Sequence, residues 1–153
     1  MDSQPHSTPI RLSFCIPTFN RAKFIGATLE ALIAQATGEC EIVVSDNAST
    51  DGTEQVVSRF IRQFHQLRYF KQASNVGVDR NFDRAVMLAR GEFCWIMGDD
   101  DLLKPGAVSR VLNSLRSDRT LVIVNMELRD VRLSKIVRRR WIRFTSDREY
   151  ESQ

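Results

Sequence analysis

Cys94-Trp95-Ile96-Met97-Gly98-Asp99-Asp100-Asp101-Leu102 joins an apolar run to a glycine and then to three adjacent carboxylates. The run from Glu92 to Met97 predicts a buried strand. The acids then stand just past its C-terminal end, the edge at which open α/β sheets bind ligands. Three like charges in a row require a cation. Carboxylates are hard oxygen ligands of Mg²⁺ and Mn²⁺, which bind through one or two of them together with the phosphates of a substrate, so the stretch points to a nucleoside-diphosphate site. The competing reading is a solvated acidic turn whose charge favours the next helix, starting at Lys104-Pro105.

The segments before this strand alternate in period. Arg11 to Pro17 is too continuously apolar for a half-exposed edge and predicts a parallel strand buried on both faces. Asn20 is placed to N-cap a helix from Arg21 to about Ala36, with Phe24, Ile25, Thr28, Leu29, Leu32, Ile33 and Ala36 along one stripe, stopped by Gly38. Glu41 to Ser45 is a second strand, followed by the acceptor-rich loop Asp46 to Gly52. Asp51 and Glu54 stand in a capping-box relation, opening a helix that buries Val56, Val57, Phe60, Ile61 and Phe64. Leu67 to Lys71 is a short strand, and Asn75-Val76-Gly77 turns into a helix reaching about Arg90, with Val78, Phe82, Ala85, Val86 and Ala89 on its apolar face and Gly91 breaking it. Beyond the acids, Ala107, Val108, Val111, Leu112 and Leu115 mark a fourth helix, and Leu121 to Met126 a further strand. Such alternation predicts an α/β fold, a parallel sheet with right-handed crossovers and helices on both faces.

Composition excludes several classes. The chain of 153 residues has room for one domain, with 42% apolar residues. No run reaches the roughly 18 apolar residues of a membrane span, and the first ten residues lack the apolar core of a secretory signal; the expectation is a cytoplasmic protein. Cys15, Cys40 and Cys94 read as small buried hydrophobes, and His6 and His65 as the only histidines leave little material for a zinc site or a histidine triad. There is no G-x-G-x-x-G after the first strand and no G-x-x-x-x-G-K, which disfavours a Rossmann dehydrogenase or a P-loop ATPase. A phospho-acceptor receiver domain would keep an acidic pair after its first strand, where this chain has Pro17-Thr18.

Taken together, Pro17-Thr18-Phe19-Asn20-Arg21, Asp46-Asn47-Ala48-Ser49-Thr50-Asp51-Gly52, Asn75-Val76-Gly77, Arg90-Gly91-Glu92, Asp99-Asp100-Asp101 and Pro105-Gly106 resemble, in order and interval, the motifs of family 2 glycosyltransferases. The Ser-Asp-Asn and Gly-Asp-Asp-Asp variants are most similar to its abequosyltransferase-like O-antigen branch. The resemblance implies a GT-A fold, Rossmann-like and mostly parallel, apparently truncated at its carboxyl end. Residues 1–10 would be a flexible N-terminus, 11–127 the nucleotide-sugar-binding domain, and 128–153 a basic tail opening an incomplete acceptor-binding half. Pro17, Thr18, Phe19 and Asn20 would contribute to nucleotide-sugar binding, with Phe19 replacing a more usual tyrosine. Asp46 and Asn47 would follow, one of them touching the base; Asn47, able both to donate and to accept, suits cytosine as well as uracil or guanine. Arg80 would clamp the diphosphate and Asp99 touch the ribose. Asp100 would hold Mg²⁺ or Mn²⁺, with Asp101 outside it or ligating through water. Each has a plainer role: Asp46, Ser49 and Asp51 as turn and capping residues, Asp51 structural outright; Arg80 as a solvated helix residue; Phe19 as a core aromatic.

The activity implied is inverting transfer of a sugar from a nucleoside-diphosphate donor to a glycan or lipid-linked acceptor, with an acidic general base. None of Glu127, Asp130, Asp147, Glu149 and Glu151 sits in a context matching that base. A partial catalytic domain is therefore expected, or alternatively a non-catalytic nucleotide-sugar-binding fragment. Residues 1–127 carry 14 basic and 15 acidic side chains, and residues 128–153 carry 8 and 4. The mixture of arginines with apolar residues over 129–144 suits solvated charges above packed apolar groups, or peripheral contact with an anionic membrane at its cytoplasmic face. Nucleic acid is disfavoured because the rest of the chain is net acidic. The segment Lys135 to Phe144 fits a strand or an amphipathic helix.

Overall fold

The structure, a computed structural model, describes residues 8–116, 118, 121–130, 132–140 and 142. Two compact units divide at Leu115/Arg116. The first contains β1 (Leu12–Thr18), α1 (Ile25–Ile33), β2 (Cys40–Asp46), α2 (Thr53–Ile61), β3 (Leu67–Lys71), α3 (Val78–Met87), β4 (Phe93–Ile96) and α4 (Ala107–Ser114). Its sheet has the order β3-β2-β1-β4, and every ladder is parallel.

β1 and β2 are central and buried along their whole length, as continuous apolar runs require. Their core side chains include Leu12, Phe14, Ile16, Ile42 and Val44. The crossovers through α1 and α2 step from β1 to β2 to β3, whereas α3 carries the chain back across the sheet to β4. Right-handedness puts that return helix on the opposite face, and the side chains agree. Ser45 meets α3 through Asn81 (2.8 Å), while Lys71 meets α2 through Glu54 (2.8 Å). The direction of winding reverses between β1 and β4, which opens a crevice beyond their C-terminal ends.

At the opposite end of the sheet a buried charge is tied off. Glu41 pairs with Arg68 at 3.1 Å and accepts from the Ser13 hydroxyl at 2.7 Å and the Arg90 amide at 2.5 Å. Gly91 donates to Ser13 Oγ at 2.9 Å, and a Cβ on Gly91 would lie 2.7 Å from that oxygen. The glycine is required by close approach of two backbones, a purpose beyond ending a helix.

Several local expectations are corrected. Asn20 does not cap α1, which begins at Ile25 with no side-chain cap. Instead Asn20 takes a left-handed conformation (φ 56°) and accepts from the Thr50 amide at 2.8 Å, joining two loops. The N-cap of α2 is Gly52, without a side-chain cap bond; Asp51, one residue earlier, accepts from the Thr53 amide (3.0 Å) and Ala22 N (3.1 Å), and Glu54 pairs with Lys71 rather than reaching back. In α3 the buried positions are Asn81 and Ala85, so the stripe is rotated and Phe82 and Val86 are exposed. Cys94 is exposed because, among the described residues, β4 stands at the edge of the sheet and its alternate side chains escape cover. The run Leu121 to Met126 carries no strand assignment; the second unit has instead β5 (Leu128–Arg129) and β6 (Ile136–Arg138), an antiparallel pair. Of Lys135 to Phe144, residues 141, 143 and 144 lie outside the described residues.

Candidate nucleotide site

Three loops leave the C-terminal ends of β1, β2 and β4 at one edge of the sheet, so backbone topology alone gathers their polar side chains. A cleft of about 430 Å³ opens there, bounded by Pro17, Thr18 and Phe19 after β1, by Asn75, Val78 and Phe82 at the start of α3, and by Gly98 to Asp100 after β4. Arg21, Asn47 and Asn81 complete its lining.

Asp99 spans the crevice between β1 and β4. It is 7% exposed, accepts from Thr18 Oγ1 at 2.7 Å, and has Arg21 Nε 3.4 Å from its other oxygen. Its own carbonyl accepts from Thr28 at 3.0 Å. Burial raises its pKa above the ordinary carboxylate value, against the opposing pull of the Thr18 hydroxyl and Arg21. The next two acids diverge. Asp101 folds back to accept from the Gly98 amide at 3.0 Å, whereas Asp100 is exposed at the cleft wall. A Cβ at Gly98 would come within 3.0 Å of the Asp101 carboxylate and 3.1 Å of that of Asp100, so the glycine makes room for both.

Among the described residues no three His, Cys, Asp or Glu side chains form a ready cage for a metal. That donor set still fits Mg²⁺ or Mn²⁺, which takes one or two carboxylates and completes its shell with water and substrate phosphates. Of the three acids, Asp100 is the one that is exposed and also lines the cleft.

The residues expected from the sequence separate into two groups. Pro17, Thr18, Phe19, Asn47, Asp99 and Asp100 line the cleft, while Asn20, Asp46, Arg80 and Asp101 do not. Asp46 is fully buried, accepting from the Ser49 amide at 2.7 Å and from the Tyr69 hydroxyl. Burial and that carboxylate push the Tyr69 phenol pKa upward. Arg80 is exposed on α3. Sequence reasoning missed Arg21, Val78, Asn81 and Phe82 as cleft residues. Asn81 had a usable signal, a polar residue beside the helical stripe of Val78, Phe82 and Ala85. It is buried and donates to the carbonyls of Ser45 (3.0 Å) and Thr18 (3.3 Å).

Comparison with known proteins gives the family. The model of glycosyl transferase family 2 matches residues 13–152. An abequosyltransferase, RfbV, of Salmonella typhimurium is 35% identical over 91% of this chain and 43% of its own length. A chondroitin synthase of Escherichia coli is 29% identical over 78% of this chain and 17% of its own length. This chain therefore spans less than half the length of these relatives. Among solved structures, S. aureus TarS 1-349 in complex with UDP-GlcNAc superposes with a TM-score of 0.64 at 28% identity, over 68% of this chain and 30% of that one. The mannosyltransferase PcManGT from Pyrobaculum calidifontis, in complex with GDP-Man and Mn²⁺, gives a TM-score of 0.62 at 26% identity, over 69% of this chain and 32% of that one. With its parallel sheet of GT-A type and this match along most of its length, the chain belongs to glycosyl transferase family 2.

Proposed function

We propose that this domain binds the nucleoside-diphosphate part of a sugar donor, with Mg²⁺ or Mn²⁺ at Asp100, and serves inverting transfer to a glycan or lipid-linked acceptor. The observation that carries the proposal is the Thr18–Asp99 hydrogen bond across the winding reversal, with Asp100 exposed beside it on the same cleft. In this assignment Pro17 and Phe19 offer apolar surface to the base and ribose, and Asp99 accepts from a ribose hydroxyl. The divalent ion, when bound, neutralises charge developing on the departing diphosphate. Arg21 offsets the negative charge of Asp99. Asp101 supports the loop by holding Gly98, and Asp46 supports the neighbouring one. The relatives in complex with UDP-GlcNAc and with GDP-Man and Mn²⁺ support the ligand class.

Calorimetry with UDP, CDP, GDP and dTDP, each with Mn²⁺ and with EDTA, tests this. The expected result is binding to at least one nucleotide that Mn²⁺ strengthens, with most of that gain lost in Asp100→Asn, which deletes a charge but keeps the shape. Metal-independent binding, equal in parent and variant, would remove Asp100 from the metal site.

A further inference from the structure

Asp46 and Asn47 are the pair of which the family resemblance has one touch the base, yet the Asn47 amide is fully engaged within the protein. Its Nδ2 donates to Asn75 Oδ1 at 2.9 Å and to the Gly77 carbonyl at 3.1 Å. Its Oδ1 accepts from the Val76 amide at 2.9 Å and from Gln72 Nε2 at 3.5 Å. A primary amide has two donor hydrogens and two acceptor lone pairs, so its capacity is used. The orientation of the amide is fixed as well, because a backbone N–H meets the oxygen and a backbone carbonyl meets the nitrogen. The residue is 3% exposed, and its own backbone amide is tied to the Thr18 carbonyl at 2.9 Å.

The loop so held turns the chain into α3 on a glycine. Gly77 sits at φ 92° immediately before α3, and Asn75 closes back on the Gly77 amide at 2.9 Å. A base hydrogen-bonded to Asn47 would have to displace the Val76 amide or the Gly77 carbonyl and leave a backbone group unpaired, a penalty comparable to what the new bond returns, or else break its side-chain contact with Asn75 or Gln72. Asn75, Val78 and Phe82, by contrast, face the cleft and take their position from this loop.

We infer that Asn47 is a positioning residue that pins the Asn75–Gly77 loop and the start of α3 to the end of β2, and that it does not read the nucleobase. The inference rests on the nucleotide reading above and sharpens it: base selectivity comes from other groups of the cleft. Asn47→Asp keeps an oxygen for Val76 but sets a carboxylate against the Gly77 carbonyl and Asn75 Oδ1. The expected result, by calorimetry with UDP, CDP, GDP and dTDP in Mn²⁺, is a loss of about tenfold for every nucleotide the parent binds. The ratios among them stay unchanged, while amide exchange at Val76 and Gly77 speeds up. Asn75→Ala removes the same contact from the loop side but also alters the cleft lining, so it is read by exchange at Val76, which speeds up, and the double variant speeds it by less than the product of the two singles. A change in the ratios in Asn47→Asp of about twofold or more, the least that one lost hydrogen bond gives, would overturn the inference, as would parental exchange rates at Val76 in both variants. Should Asn47→Asp not fold, Asn75→Ala decides: unchanged exchange at Val76 refutes the loop's dependence on this contact. A parent that binds none of the four nucleotides refutes the proposed function instead, and the exchange measurement then still decides whether Asn47 holds the loop.

Discussion

Asp99 shows how a single side chain can be poor for stability and good for a site. Its carboxyl is raised above the ordinary value chiefly by burial, so the folded state binds the proton more tightly than the unfolded chain does. Its favourable contribution is therefore complete below the unfolded pKa and is lost as pH rises through the folded one. Asp99→Asn keeps an acceptor for Thr18 and removes the charge, so its melting temperature should exceed the parent's at pH 7, with the difference shrinking towards pH 3. Nucleotide affinity should fall in the same variant, the usual opposition between stability and function. Thermal melts across that range, with calorimetry, check both. The buried Asp46 is satisfied by Ser49 N and the Tyr69 hydroxyl. Tyr69→Phe leaves that oxygen without its donor and should cost about 1–3 kcal/mol in urea unfolding, with nucleotide affinity per folded molecule unchanged.

At the scale of elements, the two ends of the sheet divide the labour. The C-terminal edge carries the cleft, and the N-terminal edge carries the Glu41–Arg68 pair with Ser13, Arg90 and Gly91 packed around it. Gly91→Ala places a methyl group 2.7 Å from Ser13 Oγ and 2.9 Å from its backbone nitrogen. Since backbone cannot swing aside as a flexible side chain does, a loss of about 1–3 kcal/mol is expected. Chemical denaturation reads that loss, and the binding site, at the far end of the strands, should keep its affinity in the folded fraction. The expected strand at Leu121 to Met126 is instructive at this scale too. Its β-branched residues fit a pleated surface, but such propensity is realised only against cross-strand neighbours, and among the described residues it joins no ladder.

For the whole molecule, the remaining question is what the basic tail does. No described helix is long and apolar enough to cross a membrane. Leu128, Leu133 and Val137 are exposed among Arg129, Arg132, Lys135, Arg138, Arg139 and Arg140. If this surface meets anionic lipid, each basic side chain near the headgroups adds roughly 1 kcal/mol. The expected outcome is co-flotation with anionic vesicles at low salt that is lost at high salt and absent from neutral vesicles. Failure to float at low salt would leave the arginines as solvated charges.

The sequence by itself determined the alternation of strands and helices, the burial of β1 and β2 on both faces, and the collection of Asp46, Asn47 and Asp99 to Asp101 at one end of the strands. Those features follow from apolar periodicity and the polarity of loops, both local and both readable one segment at a time. It also carried the family, because motifs kept in order survive without coordinates. Tertiary structure alone decided strand order, and through it that Cys94 and Ile96 stand exposed on an edge strand while Thr18 and Asp99 meet across the reversal. It decided as well that Asp101 turns to its own loop, that Asp46 is sealed inside, and that Asn47 spends its amide on residues 75–77. Hydrogen-bond partners 29 or 81 positions apart leave no periodic trace in a chain. They exist only once packing has brought their elements together.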